Sequence, residues 1–185
     1  MMGNSYPMAR GDDIFAKAER LMGMDDAVWR RHANPWSGLT RFTILPLFAV
    51  AVWSRQWLGW GALVPVVLVI AWTWFNPRAF PPPSDYGHWV SRAVLGERIY
   101  LERANRALDP AHLRAARTLT GLSATGLAPF VYGLWVYDLA TTVLGIVLMA
   151  GAKAWFCDRM VWLHVDETKI PLGAAMPQPT WEQKK

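Results

Sequence analysis

The sequence predicts an all-α membrane protein of four transmembrane helices arranged as two hairpins, with an N-terminal amphipathic helix and a cytoplasmic surface helix in the central loop. Three observations lead there. Of its 185 residues, 53% are hydrophobic and 12 are Trp, more indole than a soluble core uses. The charged residues are segregated into the segments between long apolar stretches, which is the pattern a bilayer imposes. Lys and Arg are also placed unevenly: six lie in the stretch through Arg41 and seven in residues 76–117, but only Arg55 lies in the two short breaks between paired apolar stretches.

The elements follow in order. In the arm, 1–34, the stretch from Asp13 to Met22 carries Ile14, Phe15, Ala18, Leu21 and Met22 at helical spacing, with Lys17, Glu19 and Arg20 turned away. This predicts a short amphipathic helix, lying on the membrane or a partner, or folded onto the protein's own polar face. Met1 to Gly11 is polar and lacks the continuous apolar core of a cleavable signal, so insertion is expected through the internal helices.

The first hairpin, 35–75, opens with Asn34-Pro35, a cap followed by a first-turn proline. Its first helix, Trp36 to Ser54, covers 19 residues, roughly 28 Å at helical rise and enough to cross the hydrocarbon. Arg41 falls about a turn and a half inside, near enough to the end for its stem to return the guanidinium to the headgroups. Ser54-Arg55-Gln56, between Trp53, Trp57 and Trp60, has the look of a turn inside an interfacial aromatic belt. The second helix runs from about Trp57 to Phe75 and is expected to stop at Asn76-Pro77.

Residues 76–117 are too polar to span. Phe80-Pro81-Pro82-Pro83 must be extended, Trp89 to about Asn105 is expected as a surface helix, and Asp109-Pro110 repeats the cap signal. The second hairpin, 118–163, has a helix crossing from about Thr118 to Tyr137, a turn at Asp138, and a last helix from Leu139 to about Trp162. Its small residues, among them Gly121, Gly126 and Gly133 on the first helix and Gly145, Ala150 and Gly151 on the second, predict close packing of the two helices. Residues 164–185 are expected as an irregular tail containing Pro171, Pro177 and Pro179. Because cations stay inside, both termini and the central segment are placed in the cytoplasm.

Chemistry-bearing motifs are sparse. The sequence holds no G-x-S-x-G, Walker loop or CxxC, which disfavours ordinary hydrolases and NTPases. Its four histidines all fall outside the apolar stretches, so no axial haem ligand is expected at membrane depth, and no catalytic residue, cofactor, metal ligand or nucleic-acid contact is assigned. Pro46, Pro65 and Pro129 each free a carbonyl one turn earlier, as static kinks or as hinges. Lys153 is the one intramembrane ionisable candidate, and its stem is long enough to snorkel. A second candidate site is at the cytoplasmic surface, where Arg30, Arg31, His32, Asn34, Arg92, Glu97, Arg98 and Arg103 are available to a lipid headgroup. Cys157, the single cysteine, reads as a packing residue.

Four stretches, 29–37 (WRRHANPWS), 72–78 (WTWFNPR), 92–98 (RAVLGER) and 153–162 (KAWFCDRMVW), resemble a family of small uncharacterised bacterial membrane proteins known only as a domain of unknown function. The resemblance covers about Asp25 to Asp166. It implies a bacterial inner membrane and carries no activity. Two functions are expected on these grounds. The first is a non-catalytic accessory or scaffolding subunit of a larger inner-membrane complex, in contact with lipids and other integral subunits. The second is an enzyme or carrier acting on lipid headgroups or a small amphiphile at the cytoplasmic surface.

Overall fold

The structure is a computed structural model and describes residues 21–103, 106–174 and 176. The predicted amphipathic helix over Asp13–Met22 therefore lies outside the described residues, apart from its last two. Among the described residues all regular structure is helical: α1 (Asp26–His32), α2 (Pro35–Arg41), α3 (Ile44–Trp53), α4 (Arg55–Leu58), a 3-10 turn (Gly59–Ala62), α5 (Leu63–Ala79), α6 (Trp89–Leu101), α7 (Pro110–Thr125), α8 (Leu127–Val136) and α9 (Leu139–Thr168). Three helical stretches, Pro35–Ala79, Pro110–Val136 and Leu139–Thr168, are long and apolar enough to cross a membrane. This is a membrane protein.

The capping signals act as read. The Asn34 side chain accepts from the Trp36 amide, Asp109 from Ala111 and Asp138 from Thr141, so three helices begin where a short polar side chain meets orphan amides. The prolines act more strongly than kinks inside continuous helices. The predicted first helix is divided at Phe42–Thr43 and the predicted third at Gly126. A 3-10 turn precedes Pro65 in the same way. Each break lies about one turn before Pro46, Pro65 or Pro129, where the ring removes an amide and crowds the carbonyl four residues back.

Two helix ends differ from expectation. α5 does not stop at Asn76-Pro77 but continues through Ala79 with Pro77 inside it. Arg78 donates to the Trp74 carbonyl over 2.7 Å, and the helix ends at Phe80, whose extended backbone (φ −108°, ψ 148°) is what a following Pro81 demands. α9 runs past Trp162 to Thr168, so the first residues of the expected tail are helical. Leu163 and His164 are buried, and that packing carries the helix onward until Lys169 turns left-handed at φ 60°.

α9 is the hub, with α6, α7 and α8 packed along it, while α5 packs back along α3, α2 and α1. α6 sits deeper than a surface helix, being buried from Val90 to Gly96. The reason is Gly96. A Cβ built there would stand 1.8 Å from the Met160 carbonyl oxygen of α9, so the two backbones touch only because no side chain intervenes. Farther along α9 the expected close packing is present: a Cβ at Gly145 would lie 2.5 Å from the Phe130 nitrogen, and one at Gly133 would lie 2.5 Å from that of Thr142.

The two halves of the molecule join through Ala49, Phe130 and Leu134. At the end away from α1 and α6, Arg55 donates to the Leu134 and Trp135 carbonyls at 2.7 and 3.0 Å, closing the end of α8. Around this core the faces of α3 to α5 expose Leu47, Val50, Trp57, Trp60 and Val67, as lipid contact requires.

Gly96→Ala is expected to lower stability by about 1–3 kcal/mol, the usual range for overpacking, with Gly145→Ala behaving alike. Gly121→Ala and Gly151→Ala, which meet open space, should leave the melting temperature in detergent unchanged or slightly higher. Equal loss in all four variants would contradict the packing described.

Candidate functional site

Where α2, α6 and α9 converge lies a cavity of about 260 Å³. Its walls are largely apolar, including Phe42, Leu45, Val94 and Met149, and its polar lining is His32, Arg41, Glu97, Lys153 and Ser123, with the Cys157 thiol beside them. Mostly apolar walls with a few converging polar groups are the usual make-up of a small-molecule site.

One side of the polar lining is held by a directed chain of hydrogen bonds. The Thr40 hydroxyl donates to the Trp36 carbonyl at 2.6 Å, so its oxygen accepts from Asn76 Nδ2 at 2.7 Å. The Asn76 amide is thereby oriented, and its Oδ1 accepts from the Ser37 hydroxyl at 3.1 Å. The Ser37 proton being used, its oxygen accepts from His32 Nδ1 at 2.9 Å. That fixes the His32 tautomer with a bare Nε2, which faces Arg41 Nη1 at 3.4 Å. Ser37 and Asn76 are wholly buried and His32 is 5% exposed. Burial and then the Arg41 cation lower the His32 pKa to about 3. The imidazole is therefore neutral at physiological pH and serves to hold the guanidinium.

Glu97 and Lys153 form the other side. Lys153 Nζ donates to Glu97 Oε1 at 3.0 Å and lies 4.4 Å from the Phe156 ring centre. Burial would raise the Glu97 pKa, but Lys153 reverses this by charge and hydrogen bond, and the Arg41 cation adds to it, so the carboxyl stays below the ordinary value and ionised. Glu97 balances one of the two cations. The second, Arg41, makes a single long hydrogen bond among the described residues, and its Nε is buried without a partner there. A guanidinium carries five N–H donors, so most of this one's donors have no partner among the described residues.

Of the residues singled out in the sequence, His32, Glu97 and Lys153 meet here. Lys153 does not merely snorkel, since α6 supplies its counter-charge. The others serve elsewhere. Arg31 donates to the Arg78 carbonyl at 3.2 Å, and Asn34 caps α2 while its Nδ2 reaches the Pro81 carbonyl at 2.9 Å. Arg92, wholly buried, clasps the Ile170 and Ala174 carbonyls at 3.2 and 3.1 Å. Arg98 pairs with Asp26, Arg103 folds over the Tyr100 ring, and Arg30 lies half-buried in the last turn of α1.

Residue-by-residue reading missed Ser37, Arg41 and Asn76 as site members and read Cys157 only as packing. Yet a signal was present. The four stretches that carry the family resemblance converge on this one place: 29–37 supplies His32 and Ser37, 72–78 supplies Asn76, 92–98 supplies Glu97, and 153–162 supplies Lys153 and Cys157.

The match to a known family extends over almost the whole chain: residues 12–181 match the family described as "Family of unknown function (DUF6653)". The chain belongs to this family. Neither the curated proteins nor the solved structures contain a match. The family assigns no chemistry, so the cavity has to be interpreted from its own residues.

His32 yields a pH prediction. Its folded pKa of about 3 lies below the ordinary histidine value of 6.5, so the unfolded chain binds the extra proton between those values and stability falls as pH falls through that window. Melting in detergent should show this acid loss at pH 6.5 to 4, whereas His32→Asn should be less stable at neutral pH and flatter in its pH dependence. A His32→Asn profile as steep as that of the parent would contradict the assigned neutral state.

Proposed function

We propose that the protein binds the anionic head of an amphiphile at the cytoplasmic surface of a bacterial inner membrane, acting as a carrier or holding site. The observation that carries this reading is the cavity itself: apolar walls, two cations against one carboxylate, and an arginine with donors to offer. A phosphate or carboxylate accepts from such donors in charge-assisted pairs, and an apolar body finds its complement in the walls.

The setting supports the reading. The stretch Pro35–Ala79 would measure about 68 Å as one helix, roughly twice the hydrocarbon thickness, and the Ser37–Asn76 bond is consistent with its crossing twice. With Pro110–Val136 and Leu139–Thr168 this makes four crossings in two hairpins, cation-rich segments inside. The cavity then lies at the inner headgroup level, where α6 meets the ends of the spans. The accessory-subunit expectation rests on the lack of embedded catalytic or relay groups, on the Trp-rich and branched first hairpin and on two tails able to clasp a neighbour; lipid alone accounts for such apolar faces, and the charged cavity favours the amphiphile reading.

Purified protein in zwitterionic nanodiscs should bind dodecyl phosphate in preference to the matched trimethylammonium and maltoside compounds, read by native mass spectrometry. Arg41→Gln should weaken phosphate binding about tenfold, the loss of one charge-assisted hydrogen bond, while Glu97→Gln, which removes the competing carboxylate, should tighten it. Parallel losses in both variants, or no preference for the anion, would remove the proposal. For topology, single cysteines placed at Ser84 and at Gln56 in a Cys157→Ala background should be labelled from the cytoplasmic and periplasmic sides respectively. Periplasmic labelling of the Ser84 position would invert the orientation.

A further inference from the structure

Lys153 stands between two cavities. Beyond it, between α7 and α9, lies a second space of about 290 Å³, lined by Leu119, Ala124, Leu127, Met149 and Phe156. The two spaces share Ser123, Met149 and Lys153 as walls, so what divides them is a serine, a flexible lysine stem and a thioether. Ser123 donates to the Met149 carbonyl at 3.2 Å, which ties α7 to α9 beside the passage. The second space differs from the first in its chemistry. Its lining is apolar apart from Thr120, Ser123 and the Lys153 already shared with the charged cavity. An open apolar surface then continues along α8 past Leu127 and Val131 toward Trp135, away from the charged end.

We propose that the bound amphiphile is a long-chain anion whose head sits on Arg41 and whose apolar chain passes the Lys153 stem into the space between α7 and α9. The chain is the occupant because the space shares side-chain walls with a charged cavity on one side and with the exposed apolar surface of α8 on the other. An amphiphile has that same sequence of parts. The Lys153 stem is suited to such a passage: its methylenes line the route while its ammonium stays with Glu97. This assignment rests on the headgroup reading above and adds to it which part of the ligand lies where.

The test uses the full chain in zwitterionic nanodiscs with two probes, a long-chain carboxylate and a long-chain phosphate monoester, each with a photoactivatable diazirine at mid-chain. Cross-links are expected on residues 119–127 and 149–156 for at least one probe. Ala124→Phe fills the second space from an exposed position and should cut that labelling about tenfold, as should Leu127→Trp, while a short-chain phosphate should bind these variants as it binds the parent. Arg41→Gln should reduce labelling and short-chain binding together. If labelling depends on Arg41 but is scattered over other lipid-facing helices and is indifferent to Ala124→Phe and Leu127→Trp, the chain assignment is overturned and the headgroup reading survives. If labelling ignores Arg41, both are overturned. Inorganic phosphate binding as tightly as the long-chain phosphate would identify a free anion as the ligand and remove the chain from the account.

Discussion

The contact of Gly96 with the Met160 carbonyl sets the spacing on which the rest of the molecule depends. A glycine there allows α6 to lie directly on the backbone of α9, and a helix so close brings its next residue, Glu97, within hydrogen-bond reach of Lys153. An isolated lysine one side-chain length inside an apolar helix is costly. A carboxylate delivered by close packing makes the charge tolerable and leaves it fixed in position. Packing and electrostatics are therefore one device here: the same absence of a Cβ that joins two helices also forms the ion pair.

A second device organises the other wall. Pro46 divides the first apolar stretch so that α2, a short helix of seven residues, is oriented separately from α3. α2 carries Ser37 and Thr40 toward α5, where Asn76 meets them, and Arg41 toward the cavity. Asn76 lies one residue before Pro77, and its side chain bonds two residues of α2 at once. From Thr40 through Asn76 and Ser37 to His32 each bond has one possible direction, which leaves a single consistent arrangement of protons. Such a network is rigid because reversing any member would strand a buried donor, at a cost of about 1–3 kcal/mol. Its product is a guanidinium held by a neutral imidazole at the cavity wall rather than neutralised by a carboxylate, and so still able to receive an anion.

Much of the fold could be read in advance because its signals are local. Asn34, Asp109 and Asp138 cap helices through groups within three residues, and the small residues of α8 and α9 announce close approach by their size alone. The helix ends were less legible. α5 runs on through Pro77 to Ala79, with Asn76 and Pro77 buried, and α9 persists because Leu163 and His164 are buried by helices far away in sequence. The site was legible only in part. His32, Glu97 and Lys153 stood out as polar residues near apolar stretches, whereas Ser37, Arg41 and Asn76 looked like a cap neighbour, a snorkelling cation and a helix stop.

The sequence by itself determined that the chain is helical, that it belongs in a membrane, and where most helices begin, since apolar length, charge segregation and capping act over a few residues. Only the tertiary structure decided which polar groups meet. Glu97 and Lys153 are separated by 56 residues and Ser37 and Asn76 by 39, and no local rule states such pairings. They arise where helices touch, and helix contact is set by the shapes of whole faces, above all by the one glycine at which two backbones come together.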